Sequence, residues 1–477
     1  MATVSPMPVR PGRSLELGLL LIALVLSIGA YAEVGLALTE SLPADIVGYG
    51  AGLTVLALGM HVVLRTRAPY ADPVILPVVV ALNGIGLAMI YRIDAAYAAR
   101  DMYDGFAERQ LVWTAISMVL AAVVVVILRD HRTLRRYTYT AMVVGLGLLV
   151  LPLVPGIGRT INGAQIWIHV GPAGLQPAEL AKIVLAVFFA GYLVTTRDTL
   201  ALAGPRVLGL QLPRTRDLGP ILLAWLASLA VLVMQKDLGT SLLFFGLFVG
   251  MLYLATERLS WVLIGAGLFV VGAAVVARTF EHVGHRFDVW LHALDNDTFN
   301  AARGGSGQLV RGLFGMASGG LFGTGLGHGR PDLVPYAESD FIVASLGEEL
   351  GLTGLLALLV LYVVLVQRGL RTAIGVRDGF GKLFAGGMAF VVAFQCFVVV
   401  GGVTRLIPLT GLTMPFLAYG GSSLLANWII AALLLRISDS ARRPAPQTDD
   451  AGPAGTAPLP AGSDNETEVL HMDGDRR

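Results

Sequence analysis

The sequence predicts an all-α fold: a polytopic membrane bundle of about twelve transmembrane helices. Composition carries the first argument, since 55% of the 477 residues are hydrophobic and only 14% charged, against about 25% charged in soluble domains. Spacing carries the second. Apolar runs of roughly 17–25 residues, long enough to cross a bilayer's hydrocarbon core, recur along the chain between polar connections. A single cysteine, Cys396, excludes an internal disulfide and a cysteine-based metal site. Inside an apolar run it reads as a small packing residue. The net charge of +1 gives no reason to expect a nucleic-acid partner.

In order, the runs fall at 15–37, 44–64, 73–92, 110–128, 137–155, 178–195, 218–234, 239–255, 260–278, 341–366, 383–404 and 415–436. The first follows Arg10 and Arg13 and passes Ala30-Tyr31-Ala32, which resembles a signal-peptide cleavage site. Hydrophobicity continues to Leu38, so an uncleaved first helix is the expectation. Twelve spans put both termini on one side. Connections on that side carry Arg65 and Arg67; Arg129, Arg132, Arg135 and Arg136; Arg197, Arg206, Arg214 and Arg216; and Arg368, Arg371, Arg377 and Lys382. The excess of basic residues makes that side, and both termini, cytoplasmic. Two long segments, 156–177 and 279–340, then face outward. The tail from about 444, rich in Pro, Ala, Gly and Asp, reads as disordered.

Chemistry concentrates at Pro331–Gly351, PDLVPYAESDFIVASLGEELG. Asp340 stands where the Gly-rich stretch SGGLFGTGLGHG and its loop meet the start of a span. Glu348 and Glu349 lie about 12 Å deeper along the helix. Acids entering a bilayer are costly and mark functional sites. Ser339 or Asp340 could instead cap the helix, contributing about 1 kcal/mol. Capping does not exclude chemistry, because a helix N-terminus keeps a carboxylate ionised and a general base must be ionised.

Other stretches allow two readings each. In NGAQIWIHVGPAGLQPAELAK, Trp167 fits an interfacial belt, and Pro177 and Glu179 fit a helix start. Lys182, a turn inside that helix, either snorkels or projects into a polar cavity. In MQKDLGTS, Asp237 is either a turn residue or a second acid on the face of Asp340. The segment from Glu281 to Asp340 carries His285, Arg286, Arg303, Gln308 and Arg311, and suits a short helix and loop at the interface. Its histidines form no metal motif and read as surface residues. In GGVTRLIPLTGLTMPFLAYGGSS, Arg405 sits in an outer loop and a helix starts near Pro415. The YGGSS run either packs helices closely or opens one around a ligand.

NGAQIWI with QPAELAK, KDLGTS, GGLFGTGLGHG, SDFIVASLGEELG and PLTGLTMPFLAYGGSS, in that order, resemble the SEDS family (shape, elongation, division and sporulation). The likeness is closer to its RodA branch, of actinobacterial type, than to FtsW. It covers about residues 75–436. The family core has ten helices, so the resemblance divides the chain into a cytoplasmic N-terminus (1–14), an extra helix pair (15–72), a membrane core (73–436) and a cytoplasmic tail (437–477). Departures are Ser339 for threonine, Ala418 for serine, Lys236 for proline, a missing tyrosine beside Gly307 and Gln308, and WLHALD in place of W-L-N/D-P.

The resemblance implies a peptidoglycan glycosyltransferase that joins lipid II units into β-1,4 glycan strands during elongation, paired with a class B penicillin-binding protein. Asp340 matches the family's essential aspartate, and Trp167, Lys182, Asp237, Gln308, Glu348 and Glu349 match positions around the same outer cavity. The expected reaction is a single inverting displacement of undecaprenyl pyrophosphate, with Asp340 taking the acceptor hydroxyl's proton. Lys182, Arg286 and Arg405 are the expected cations for the leaving group. No cofactor is called for, with room left for a divalent cation (Mg or Mn). The rival readings are a lipid II flippase and a non-catalytic scaffold.

Overall fold

The structure, a computed structural model, describes residues 12–444 except 103, 162, 172, 202–205, 208–209, 212–218 and 302–303. The N-terminus before residue 12, Arg214, Arg216, Arg303 and the tail beyond 444 lie outside the described residues. Among those described, eleven helices are long and apolar enough to cross a membrane. They are α1 (Arg13–Thr39), α2 (Ile46–Arg67), α3 (Ile75–Ala98), α4 (Phe106–Ile127), α5 (Thr138–Val150, extended by 3-10 turns at both ends), α6 (Pro177–Ala201), α8 (Leu238–Thr256), α9 (Leu259–Thr279), α13 (Ile342–Gly375), α14 (Gly379–Val403) and α15 (Gly421–Arg442). The span expected at 218–234 is a shorter apolar helix, α7 (Gly219–Met234). Three further helices, α10 (Glu281–Leu291), α11 (Asn296–Phe299) and α12 (Gly307–Gly319), lie in the long segment before α13.

Burial sorts the helices into a centre and a rim. Along α3 89% of the apolar window is buried and along α15 83%, against 11% along α9 and 33% along α1, α2 and α4. The rim helices leave Val25, Val47, Val55, Val123 and Val270 exposed, an apolar coat suited to lipid. Small residues let the central backbones close up. A Cβ on Gly86 would come within 2.4 Å of Leu417 O, and one on Gly239 within 2.7 Å of Thr410 O.

Three expectations about elements change. The stretch 156–177 is an antiparallel sheet of β1 (Gly158–Ile161), β2 (Ala164–Val170) and β3 (Ala173–Leu175), in the order β1-β2-β3. Alternation in A-Q-I-W-I-H-V carries it, and Trp167 pairs with Arg159 across β1 and β2. The last span starts at Gly421 rather than Pro415, because Gly420 (φ 160, ψ 99) takes a backbone shape that cannot enter a helix. That helix also runs to Arg442, past the expected boundary at 436.

One end of the bundle is tied by arginine. Arg436 donates from Nη1 to Arg67 O, from Nε to Leu128 O and from Nη2 to Arg129 O, each at 2.5 Å. Nearby, Asp72 pairs with Arg442 at 2.5 Å, and Asp439 accepts from Tyr70 N at 2.9 Å. At the opposite end, residues 320–340 and 404–420 converge on the start of α13.

Candidate active site

The turn Tyr336–Asp340 is closed by Ser339 N–H and Phe341 N–H, both donating to Tyr336 O at 3.2 and 3.1 Å. Helix α13 then starts at Ile342 with Phe341 as its cap residue and no side-chain cap bond. Asp340 is therefore left over from helix initiation. It is half-buried, and no hydrogen bond ties its carboxylate to a described residue. A Cβ on Gly411, itself held at φ +75, would stand 3.8 Å from Asp340 Oδ2, so the carboxylate lies against the 408–412 backbone. Burial pushes its pKa up to about 6; the charge of Glu338 adds to the rise and Arg286 opposes it.

Arg286 comes from α10, a helix held over this end by its own terminus. Arg405 donates from Nε to Trp290 O (2.9 Å) and from Nη2 to Leu291 O (2.8 Å), and Trp290 Nε1 returns a bond to Arg405 O (3.0 Å). A cation on the last carbonyls of a helix also complements its dipole. Arg286 Nη1 then reaches Leu409 O (3.1 Å) and Thr410 O (3.2 Å). Its charge acts on Asp340 and Asp237 together. Asp237 caps α8, accepting from Thr240 N at 2.9 Å, with Gln176 Nε2 at 3.5 Å from its Oδ2. Burial raises its pKa, although the Thr240 bonds pull the other way. The result is two acids and one guanidinium around Thr410 and Gly411.

Glu338 is the residue that the sequence reading missed. It is buried, accepts from Tyr97 Oη at 3.2 Å, and its carbonyl accepts from Tyr419 N at 2.8 Å. Burial raises its pKa as well. The signal was present as a second acid two residues before Asp340.

Several expected cavity residues have other partners. Lys182 is 1% exposed and does not open into the cavity: its Nζ holds Glu179 Oε2 at 2.5 Å and Gln395 Oε1 at 3.0 Å. Gln395 in turn donates to Thr413 O at 2.9 Å, so this buried network holds the 404–420 loop from beneath. Glu348 accepts from Arg330 N at 2.8 Å. Glu349 pairs with Arg92 at 2.8 Å and accepts from Gly327 N at 2.9 Å. These two acids hold the Gly-rich loop and Arg92. Arg405 is committed to α10. Trp167 is half-buried on β2, and Gln308 half-buried in the first turn of α12. Of the predicted set, then, Asp340, Arg286 and Asp237 come together.

Among the described residues no group of three or more His, Cys, Asp or Glu is arranged to hold a metal ion. The positive charge facing Asp340 and Asp237 comes from Arg286.

A family model for FtsW/RodA/SpoVE cell cycle proteins matches residues 73–443. The chain is 48% identical over 446 residues to the peptidoglycan glycosyltransferase RodA of Mycobacterium tuberculosis, covering 93% of this chain and 94% of that one. It is 46% identical over 472 residues to the protein of the same name from Mycobacterium leprae, covering 98% of each. Among solved structures, it is similar to a chain of a peptidoglycan synthase complex that coordinates polymerization and crosslinking (TM-score 0.61, 26% identity, 78% of this chain and 99% of that one). It is also similar to Thermus thermophilus rod shape determining protein RodA (TM-score 0.55, 25% identity, 78% and 98%).

Proposed function

The chain belongs to the FtsW/RodA/SpoVE family of cell cycle proteins, and from that premise we propose how it works as a peptidoglycan glycosyltransferase. It is a multi-pass membrane enzyme, and Asp340 is its general base. The substrate is lipid II, and the likeness to relatives named RodA supports a role of the glycan strands in elongation. The 4-hydroxyl of an N-acetylglucosamine acceptor attacks the anomeric carbon of a donor N-acetylmuramic acid. The new C–O bond forms as the bond to undecaprenyl pyrophosphate breaks, with inversion from α to β. The hydroxyl proton passes to Asp340 Oδ2, and the diphosphate departs with the bonding electrons.

One observation carries this reading: the Asp340 carboxylate is neither a cap nor an ion-pair partner, and its pKa of about 6 leaves it ionised but basic at neutral pH. Such a base is worth roughly 10²–10⁴-fold in rate. Arg286 and Asp237 sit where charge must be balanced as the proton moves. Arg286 is the nearer candidate for the leaving phosphate, ahead of Lys182 and Arg405, whose bonds are committed elsewhere. Both termini and the arginine-rich end are cytoplasmic, Asp340 faces outward, and residues 73–436 form the catalytic core with α1 and α2 added to it. The partner is a class B penicillin-binding protein.

The test is polymerisation in detergent: purified full-length protein with its partner and lipid II makes glycan strands, and Asp340→Asn makes none while staying monodisperse. Normal strand synthesis by the variant would remove Asp340 from the chemistry. A protein active only in sealed vesicles would be a flippase instead.

A further inference from the structure

Far from Asp340, α2 and α4 leave an apolar groove of about 500 Å³. One wall is Leu56, Gly59 and Val63; the other is Val119, Ala122 and Val126. One turn beyond Val63, α2 carries Arg67; α4 ends at Ile127, itself a lining residue of the groove, and Arg129 follows two residues on in the connection. Both arginines are exposed, and neither makes an ion pair with a described residue. Arg436 fixes their spacing, because its one guanidinium holds the carbonyls of Arg67 and Arg129 at 2.5 Å each. The acids nearby are Asp130, which is exposed and caps the turn that follows, Asp439, which is paired with Arg436 (3.5 Å) and Arg443 (2.8 Å), and Asp72, which is paired with Arg442 (2.5 Å). Positive charge is left over at the groove's mouth.

The groove's length selects its occupant. From Val55 to Val63 is about 12 Å of helix, and one leaflet of a bilayer offers about 15 Å of hydrocarbon. A transmembrane helix would need a seam through both leaflets, whereas an acyl chain needs one. We propose that this groove binds an anionic phospholipid, its acyl chain along Gly59 and Ala122 and its phosphate between Arg67 and Arg129. Basic pockets between helices at a membrane face recognise such head groups by this charge arrangement. Arg436 is then a positioning residue that sets the width of the phosphate site.

Native mass spectrometry of the full-length protein, titrated with phosphatidylglycerol or phosphatidylcholine of identical chains, tests this. The parent should retain phosphatidylglycerol in preference, and Arg67→Gln with Arg129→Gln should reduce that preference about fivefold per arginine. Arg67→Lys with Arg129→Lys should keep it. A Cβ on Gly59 meets nothing within 4 Å, so Gly59→Leu fills the groove without disturbing the helix and should displace the tightly held lipid. Equal retention of both lipids by the parent overturns the proposal, as does an unchanged preference in the glutamine pair or in Gly59→Leu. A photo-crosslinker at position 59 that captures protein in the membrane, not phospholipid, assigns the groove to a partner helix and overturns it too.

Discussion

At the scale of single residues, the arrangement around Asp340 makes a pH argument with a definite sign. A base with a pKa of about 6 loses activity as pH falls through that value, so strand synthesis should show an acid limb centred near there. Glu338 raises that pKa by repulsion and Arg286 lowers it. Glu338→Gln should therefore move the limb to lower pH and Arg286→Gln to higher pH, read from initial rates between pH 5 and 8. A limb that ignores both substitutions would mean that another group is titrating. The same shift has a cost in stability. An aspartate with an ordinary pKa of about 4 in the unfolded chain and about 6 in the fold binds more protons when folded, so its contribution falls as pH rises through that window. Asp340→Asn should consequently melt at a higher temperature than the parent at pH 7.5 and lose that advantage below about pH 4. A residue kept for structure would do the reverse.

At the scale of elements, α13 shows what Glu348 and Glu349, two acids that stand out in the sequence, hold in the fold. The helix breaks at Gly351 (φ 67, ψ −174), and the freed backbone groups pair with the Gly-rich loop. Thr324 N and Gly325 N donate to the carbonyls of Glu348 and Glu349 at 3.0 Å, and Leu352 N donates to Gly320 O at 3.0 Å. A broken helix at membrane depth is tolerated when protein satisfies it in this way. The carboxylates finish the work, Glu349 on Arg92 and Glu348 on Arg330 N. Arg92→Ala leaves a buried, unpaired Glu349 and should destabilise the protein by about 3–5 kcal/mol; adding Glu349→Gln should restore much of the melting temperature. Gly323 is locked twice, by φ +82 and by a Cβ that would fall 2.2 Å from Glu349 O. Gly323→Ala should therefore unseat the loop and lower the yield of folded protein.

At the scale of the whole molecule, the two ends differ in kind. One is clasped by Arg436, Asp72 and Asp439 across α2, α4 and α15; the other holds loops, a small sheet and the acids. The proposed orientation predicts a clear labelling result in a Cys396→Ser background. A single cysteine at Ser339 or His328 should react with an impermeant maleimide added to intact cells, and one at Arg377 should react only after lysis. The reverse pattern would invert the topology. The first helix pair reaches the loop end as well, since a Cβ on Gly327 would meet Ala37 at 2.5 Å. Deleting residues 13–67 should thus weaken the Gly-rich loop and strip the cover from α3.

By itself the sequence determined the helical membrane architecture, because burial in lipid demands long apolar runs whatever surrounds them, and it determined that an acid at position 340 stands at a helix entrance. It also held the alternation of β2, which went unread among stronger helical signals, and Glu338 beside Asp340. Only the tertiary structure decided which charged residues meet. Where Lys182, Glu349 and Arg405 are held depends on Gln395, Arg92 and Trp290, each more than a hundred residues away, and Glu348 meets a loop whose backbone makes the contact. Backbone carbonyls such as Thr410 O and Leu409 O carry no residue-type signature, so the anchoring of Arg286 on them, where its charge acts on Asp340 and Asp237, could not be seen in one dimension.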